Sequence, residues 1–148
     1  MDIIFLDIDG VIRTDSSDKT NGCSHLPTFK RSFCKTSISN LNFITYTTRS
    51  KVVISSTWRT IYKIEELREI FKKNGATFDI IDYTPVLSNR GEEIQCWLDT
   101  NGTNSYVVID DSIKDIVKHI NPNRVVQTQI QIGLLDSNLT DKIIDILA

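Results

Sequence analysis

The sequence predicts an α/β domain built on one parallel sheet of five strands. Three observations carry this expectation. Five short apolar runs punctuate the chain, each continuous as a strand buried on both faces requires. Amphipathic helical periods lie between them, and such alternation packs as a parallel sheet with right-handed crossovers and helices on both faces. Clusters of Asp and Ser directly follow three of the runs, at the strand ends where an open parallel sheet binds its ligands.

Ile3-Ile4-Phe5-Leu6 reads as the first strand. Residues 13–35 then break the alternation with Ser-rich, Gly- and Pro-containing sequence and few apolar residues, and are expected to form a loop insert. Its charges are Arg13, Lys19, Lys30, Arg31 and Lys35 against Asp15 and Asp18, a locally basic balance. Ile38, Leu41 and Ile44 recur on one helical face, and Val52-Val53-Ile54 is the second strand. Ile61, Ile64, Leu67, Ile70 and Phe71 share a helix face that Gly75 ends. Phe78 to Ile81 is the third strand, followed by a helix through Ile94, Trp97 and Leu98 that stops near Asn101-Gly102. Tyr106 to Ile109 is the fourth strand. Ile113, Ile116, Val117 and Ile120 predict another helix, with Pro122 just beyond. Val125-Val126 supplies the fifth strand, and Leu139, Ile143, Ile146 and Leu147 a closing helix.

Composition narrows the function classes. The 148 residues carry 17 Lys plus Arg against 19 Asp plus Glu, a net charge of −2, which disfavours a strongly basic nucleic-acid binder but leaves room for a local basic rim. Hydrophobic residues make up 40%, enough to exclude disorder as the dominant state and to bury a core without disulfides. No apolar run is long enough to span a membrane, and the N-terminus carries an acid where a signal peptide needs bases. The three cysteines, Cys23, Cys34 and Cys96, are odd in number and form no CxxC pair, which points to a reducing cytoplasm. Cys96 is expected to fill the core beside Ile94 and Trp97. The start at Asp2 and the helical end at Ala148 read as one complete domain, 1–148, with no obligate protein partner.

The chemistry is expected at three strand ends. The first strand ends in Asp7-Ile8-Asp9-Gly10, the second in Ser55-Ser56-Thr57, the fourth in Asp110-Asp111-Ser112. Asp and Ser are ordinary caps and turn formers. Capping does not explain two carboxylates two apart and an adjacent pair converging on one edge, because clustered like charges repel. Four acids near one edge suit Mg²⁺, which takes hard oxygen ligands.

Asp7-Ile8-Asp9-Gly10-Val11 after an apolar run resembles the first signature of the haloacid dehalogenase-like (HAD) superfamily. Ser55 is similar to its second motif and Asp110-Asp111 to its fourth, in the family's chain order. Ser55-Ser56-Thr57-Trp58-Arg59, Arg90-Gly91-Glu92-Glu93-Ile94 and Trp97-Leu98 resemble a smaller branch associated with RNA-repair proteins and phage enzymes. The resemblance implies a Rossmannoid three-layer α/β/α sandwich with strand order 5-4-1-2-3. Residues 11–54 and 60–105 leave no room for a cap domain, so the chain resembles the capless group.

The resemblance also implies roles. Asp7 is the expected nucleophile, forming an aspartyl-phosphate, and Asp9 the acid and then the base. Ser55 is expected to bond a phosphoryl oxygen. Asp7, Asp9 through its backbone carbonyl, Asp110, and Asp111 directly or through water would hold Mg²⁺. Arg90 stands where the family usually has Lys, to offset charge on Asp7 and the phosphoryl group. Ser56, Arg59 and Gly10 are expected to help bind substrate, with Arg59 as a second phosphate contact. Trp58 is expected chiefly as a core anchor. Asp9 is absent from the dehalogenases and ion pumps of the superfamily, so its presence implies hydrolysis of a phosphomonoester. Members without a cap often act on macromolecules, so a phosphorylated small molecule or a nucleic-acid end is the expected partner. The basic loop would serve as a polyanion contact or a flap. A phosphate-binding module without turnover and a phosphotransferase remain alternatives on the same residues.

Overall fold

The computed structural model describes all of residues 1–148. Five strands form one all-parallel sheet: β1 (Asp2–Leu6), β2 (Lys51–Ile54), β3 (Ile80–Tyr83), β4 (Ser105–Asp110) and β5 (Val125–Gln127). Their order is β3-β2-β1-β4-β5, the expected order read from the other edge. Five helices connect and cover them: α1 (Asp15–Thr20), α2 (Lys35–Thr48), α3 (Ile64–Lys73), α4 (Arg90–Asn101) and α5 (Ser137–Leu147).

The side-chain alternation of β1 divides the core in two. Ile4 and Leu6, with Val52, Ile54, Val107, Ile109 and Val126, pack against α2, α3 and α5 through Leu41, Ile44, Leu67, Phe71, Ile143 and Leu147. Ile3 and Phe5, with Val53, Val108 and Val125, pack against Ile94 and Trp97 of α4 and against Ile116 and Ile120. Two apolar layers with the sheet between them give the three-layer α/β/α sandwich. Cys96, expected in the core, is only half-buried, because it sits one step off the Ile94–Trp97 face.

Helix limits follow local chemistry. The side chain of Asn89 accepts from the Glu92 backbone N–H at 2.9 Å and starts α4. In α3 the Lys63 N–H donates to Glu66 at 3.0 Å, while Glu65 and Glu66 open the helix and Lys72 and Lys73 close it, complementing the dipole.

Three expectations are corrected. The helix expected over Ile113–Ile120 is a single 3-10 turn, Ile116–Lys118. The crossover from β4 to adjacent β5 is broken into two short turns instead, because Pro122 opens a second one, Pro122–Arg124. This crossover presses on α4 at Gly91, where a Cβ would lie 2.9 Å from the Asp115 carbonyl oxygen. Gly91→Ala is therefore expected to destabilise the fold by roughly 1–3 kcal/mol, read by chemical denaturation.

The third strand begins two residues later than its apolar run suggests. Phe78 packs on the core from the preceding loop, and a register irregularity opposite Val52/Val53 carries the strand on to Asp82 and Tyr83. The insert at 13–35 is not a plain loop. It holds α1, capped by a reciprocal Thr14–Ser17 pair, and a 3-10 turn at Thr28–Lys30. The missed signal was Thr14-x-x-Ser17, a capping box with Ser where Glu or Gln is usual.

Candidate active site

Register places the site. Leu6 lies opposite Ile54 of β2 and Ile109 of β4. The next residue on each strand is Asp7, Ser55 or Asp110, so three polar groups emerge at one level on the carboxyl edge. Two backbone bonds tie the level together: the Asp7 N–H donates to Ile109 at 3.1 Å and the Ser55 N–H to Leu6 at 2.8 Å.

The chain then turns sharply at Gly10, whose φ is +83°. A Cβ there would sit 2.6 Å from the Asp111 carboxylate. Gly10 thus admits Asp111 to the site, which is a shaping role rather than a demonstrated substrate contact. Thr128, just after β5, fixes this turn by donating its hydroxyl to the Gly10 carbonyl at 2.7 Å.

Carboxylate oxygens of Asp7, Asp110 and Asp111 lie within 4.8 Å of one another. Asp7 is 5% exposed and Asp110 fully buried. Burial pushes the Asp7 carboxyl well above its ordinary range, and Asp110 pushes it further, while Arg90 opposes both. Burial likewise raises Asp110, against the pull of Arg90. Such a cluster is costly to a chain that uses no cation. These three carboxylates form an all-oxygen donor set that fits Mg²⁺.

A pH dependence follows. Both carboxyls sit above the ordinary 3.8 in the fold, so the folded state holds their protons more tightly than the unfolded chain. Their contribution to stability is full below that ordinary value and is lost as pH rises through the raised values. Without divalent cation, the pair is expected to add stability between a neutral and a mildly acidic pH, and Mg²⁺ to suppress that gain. Denaturant titrations at both pH values, with Mg²⁺ and with chelator, read the difference. An identical pH dependence in both would contradict metal binding at this cluster.

Arg90, the first residue of α4, reaches back over the site. Its Nη1 lies 2.8 Å from Asp110 Oδ2 and 3.4 Å from Asp7 Oδ1. Burial works against its charge, but the two carboxylates outweigh burial and raise its pKa. Ser55 is 1% exposed, and its buried hydroxyl has no hydrogen-bond partner in the chain. The hydroxyls of Ser37, Thr84 and Thr140 are likewise unpaired, but that of Ser55 lies level with Asp7 and Asp110, where a bound ligand would pair it.

Asp9 stands apart from the three-carboxylate cluster. Its Oδ1 accepts from Arg13 Nε at 2.6 Å and its Oδ2 from Trp58 Nε1 at 3.1 Å. Trp58 is fully buried among Phe29, Phe33 and Tyr62, so it is a core anchor and offers no stacking face.

The expected phosphate contact from Arg59 is corrected. All three guanidinium nitrogens are engaged: Nε with Thr84, Nη1 with Ser56 and Nη2 with Pro85 as carbonyl acceptors, and Nη2 with Glu93 at 2.8 Å. Burial lowers its pKa, with Glu93 opposing. Arg59 braces the strand-end loops instead. Ser56 is also structural, since its hydroxyl accepts from the Trp58 N–H and caps the turn Thr57–Thr60.

Sequence reasoning missed Arg13, Asp18 and Glu93. Arg13 and Arg31 count towards the basic balance of the insert, yet both pair with Asp18, at 2.5 and 2.7 Å. The four-residue spacing from Asp9 to Arg13 was a visible signal, but it becomes a contact only through the Gly10 turn.

A parallel sheet with this order and these strand-end acids defines a HAD-type α/β domain. The family model described as "HAD domain in Swiss Army Knife RNA repair proteins" matches residues 3–139. The chain belongs to that family. No curated protein and no solved structure matches it. The superfamily and branch resemblances both hold, and membership carries a phosphatase-like role in general terms. No helix is long and apolar enough to cross a membrane.

Proposed function

We propose that this protein is a Mg²⁺-dependent phosphomonoester hydrolase working through an aspartyl-phosphate on Asp7, with a nucleic-acid terminal phosphate or a nucleotide as substrate. The observation that carries the reading is the unpaired, buried Ser55 hydroxyl level with Asp7, beside the cluster of Asp7, Asp110 and Asp111. That arrangement supplies a nucleophile, a phosphoryl-oxygen donor and a cation site on adjacent strands. The substrate class is supported by membership in a family described from RNA-repair proteins. A site without a cap also admits a bulky substrate.

Mg²⁺ held by Asp7, Asp110, the Asp9 carbonyl and Asp111, directly or through water, would neutralise charge between an anionic carboxylate and an anionic phosphate. The Ser55 hydroxyl donates to a phosphoryl oxygen and orients it. An Asp7 oxygen attacks phosphorus, the bond to the leaving oxygen breaks, and Asp9 supplies that oxygen with a proton. Asp9 then takes a proton from water as the water oxygen attacks the same phosphorus. Inorganic phosphate departs and the Asp7 carboxylate is restored. Arg90 offsets the repulsion between Asp7 and Asp110 and presents positive charge to the phosphoryl group.

Hydrolysis of a generic aryl phosphate and of 3′- and 5′-phosphorylated oligoribonucleotides, with Mg²⁺ and with chelator, tests this. The expected result is Mg²⁺-dependent release of phosphate, faster from one of the oligonucleotides than from the aryl ester. Release unaffected by chelator would contradict the metal role. Tight phosphate binding with no release from any of these substrates would contradict the hydrolase reading.

A further inference from the structure

A chain of four alternating charges runs from the active site into the 13–35 segment. Asp9 Oδ1 accepts from Arg13 Nε at 2.6 Å; Arg13 Nη1 donates to Asp18 Oδ2 at 2.5 Å; Arg31 Nη1 donates to the same oxygen at 2.7 Å. Arg31 ends the chain by donating to the backbone carbonyls of Leu26 at 2.8 Å and Ser24 at 3.0 Å. Burial increases inward from the site: the Asp9 side chain is 33% exposed, Arg13 7% and Asp18 3%. Asp18 sits on α1, whose Thr14–Ser17 cap holds it beneath Arg13.

We propose that Arg13 is a positioning residue that fixes the Asp9 carboxylate, and that Asp18 and Arg31 fix Arg13 in turn. The 13–31 segment is then part of the catalytic apparatus rather than a surface excursion. The inference rests on Asp9 acting as acid and base in the reaction proposed above.

The physical argument is geometric. A carboxylate held by one donor can still rotate about that contact. Asp9 is held at both oxygens, by Arg13 on one and by the buried Trp58 indole on the other, and each oxygen keeps a further lone pair. A proton donor must be held to within a fraction of an ångström of its acceptor, and supporting contacts supply that constraint. The guanidinium fork suits the position, because Nε and Nη1 serve two carboxylates at once. Lysine offers one nitrogen and can satisfy only one of them closely. Asp18, nearly dry, is compensated by two guanidinium groups and has no solvent to replace either.

The test uses Arg13→Lys and Arg31→Lys in the full chain, so that a folding failure in the first leaves the second. For an ester with an acidic aryl leaving group, departure needs no proton, so kcat/KM should change less than about threefold. The second step still needs Asp9 as base, so kcat should fall. For an alkyl phosphate, kcat/KM should fall by about tenfold or more in Arg13→Lys and by less in Arg31→Lys. In an Asp9→Asn background, Arg13→Lys should lower turnover no further. An equal loss of kcat/KM on both esters, or an additive loss over Asp9→Asn, would overturn the proposal.

A second readout needs no turnover. The chain has two tryptophans, and their indole N–H groups bond different acids, Trp58 to Asp9 and Trp97 to Asp82. In a ¹⁵N NMR spectrum, Arg13→Lys should shift the Trp58 indole signal and speed its hydrogen exchange, leaving Trp97 in place. An unmoved Trp58 signal would overturn positioning by Arg13. Absent phosphatase activity with a shifted Trp58 signal would instead count against the hydrolase reading alone.

Discussion

Asp7→Asn is expected to lower turnover by roughly 10³-fold or more while leaving the fold intact. The amide keeps the shape of the carboxylate but is a far weaker nucleophile and a poorer ligand for a hard cation. Stability should not fall at neutral pH. Asp7 is held above its ordinary pKa by burial and by Asp110, so its charged form is a cost that the amide removes. Arg90 keeps its shorter contact, 2.8 Å to Asp110. Phosphate release and a denaturation curve on the same preparation check both halves. Lost activity with an intact transition is the expected pair, and activity within a few-fold of wild type would remove Asp7 from the nucleophile's role.

Arg90→Met should have the largest effect on stability. It keeps much of the apolar stem but leaves Asp7 and Asp110 buried without their shared counter-charge. Breaking a buried ion pair from one side costs about 3–5 kcal/mol, and the partial exposure of Arg90 places the expectation near the lower figure. Because the loss is electrostatic, Mg²⁺ should restore a larger share of stability to Arg90→Met than it adds to wild type. Urea unfolding with and without Mg²⁺ reads this. An unchanged midpoint without Mg²⁺ would mean that Arg90 does not neutralise the site. Turnover should fall as well, since the same guanidinium would face the phosphoryl group.

The fold was legible because its signals are local and redundant. Ile3–Leu6, Val52–Ile54 and Tyr106–Ile109 are apolar throughout, as central strands covered on both faces must be. The edge strand β3 was read two residues early because its outer end is polar: Asp82 meets the Trp97 indole at 2.7 Å, and Tyr83 is exposed. The Ile113–Ile120 period was real, and Ile116 and Ile120 are buried, but they are brought to the core by a 3-10 turn at Ile116–Lys118 with a second at Pro122–Arg124 rather than by a continuous helix. Periodicity reports which side chains face the core, not how many backbone turns separate them.

The candidate site was legible where a residue follows a strand directly. Asp7, Ser55 and Asp110 are set level by register, and the register follows from the apolar runs. Residues that act through loops were not legible. Arg59 and Ser56 lie in a tight turn that directs their polar groups to Thr84, Glu93 and the turn's own backbone. Arg13 and Arg31 counted only towards the basic balance because Asp18 reaches them only through a six-residue helix lacking an apolar period. Net charge over a segment does not reveal pairing, and these pairs remove two of the five cations from the expected basic rim. Lys19, Lys30 and Lys35 remain exposed.

The central claim is the covalent intermediate on Asp7. Its most direct test is to mix the Asp9→Asn variant with an aryl phosphate and Mg²⁺, quench in acid, and map the phosphoryl group by mass spectrometry of the digested chain. Asp9→Asn lacks the base for the second step, so the intermediate should accumulate. The expected result is a hydroxylamine-sensitive phosphoryl group on Asp7 that is absent with chelator. Release of aryl alcohol without any phosphoryl group on the protein, or its attachment at another residue, would contradict the account.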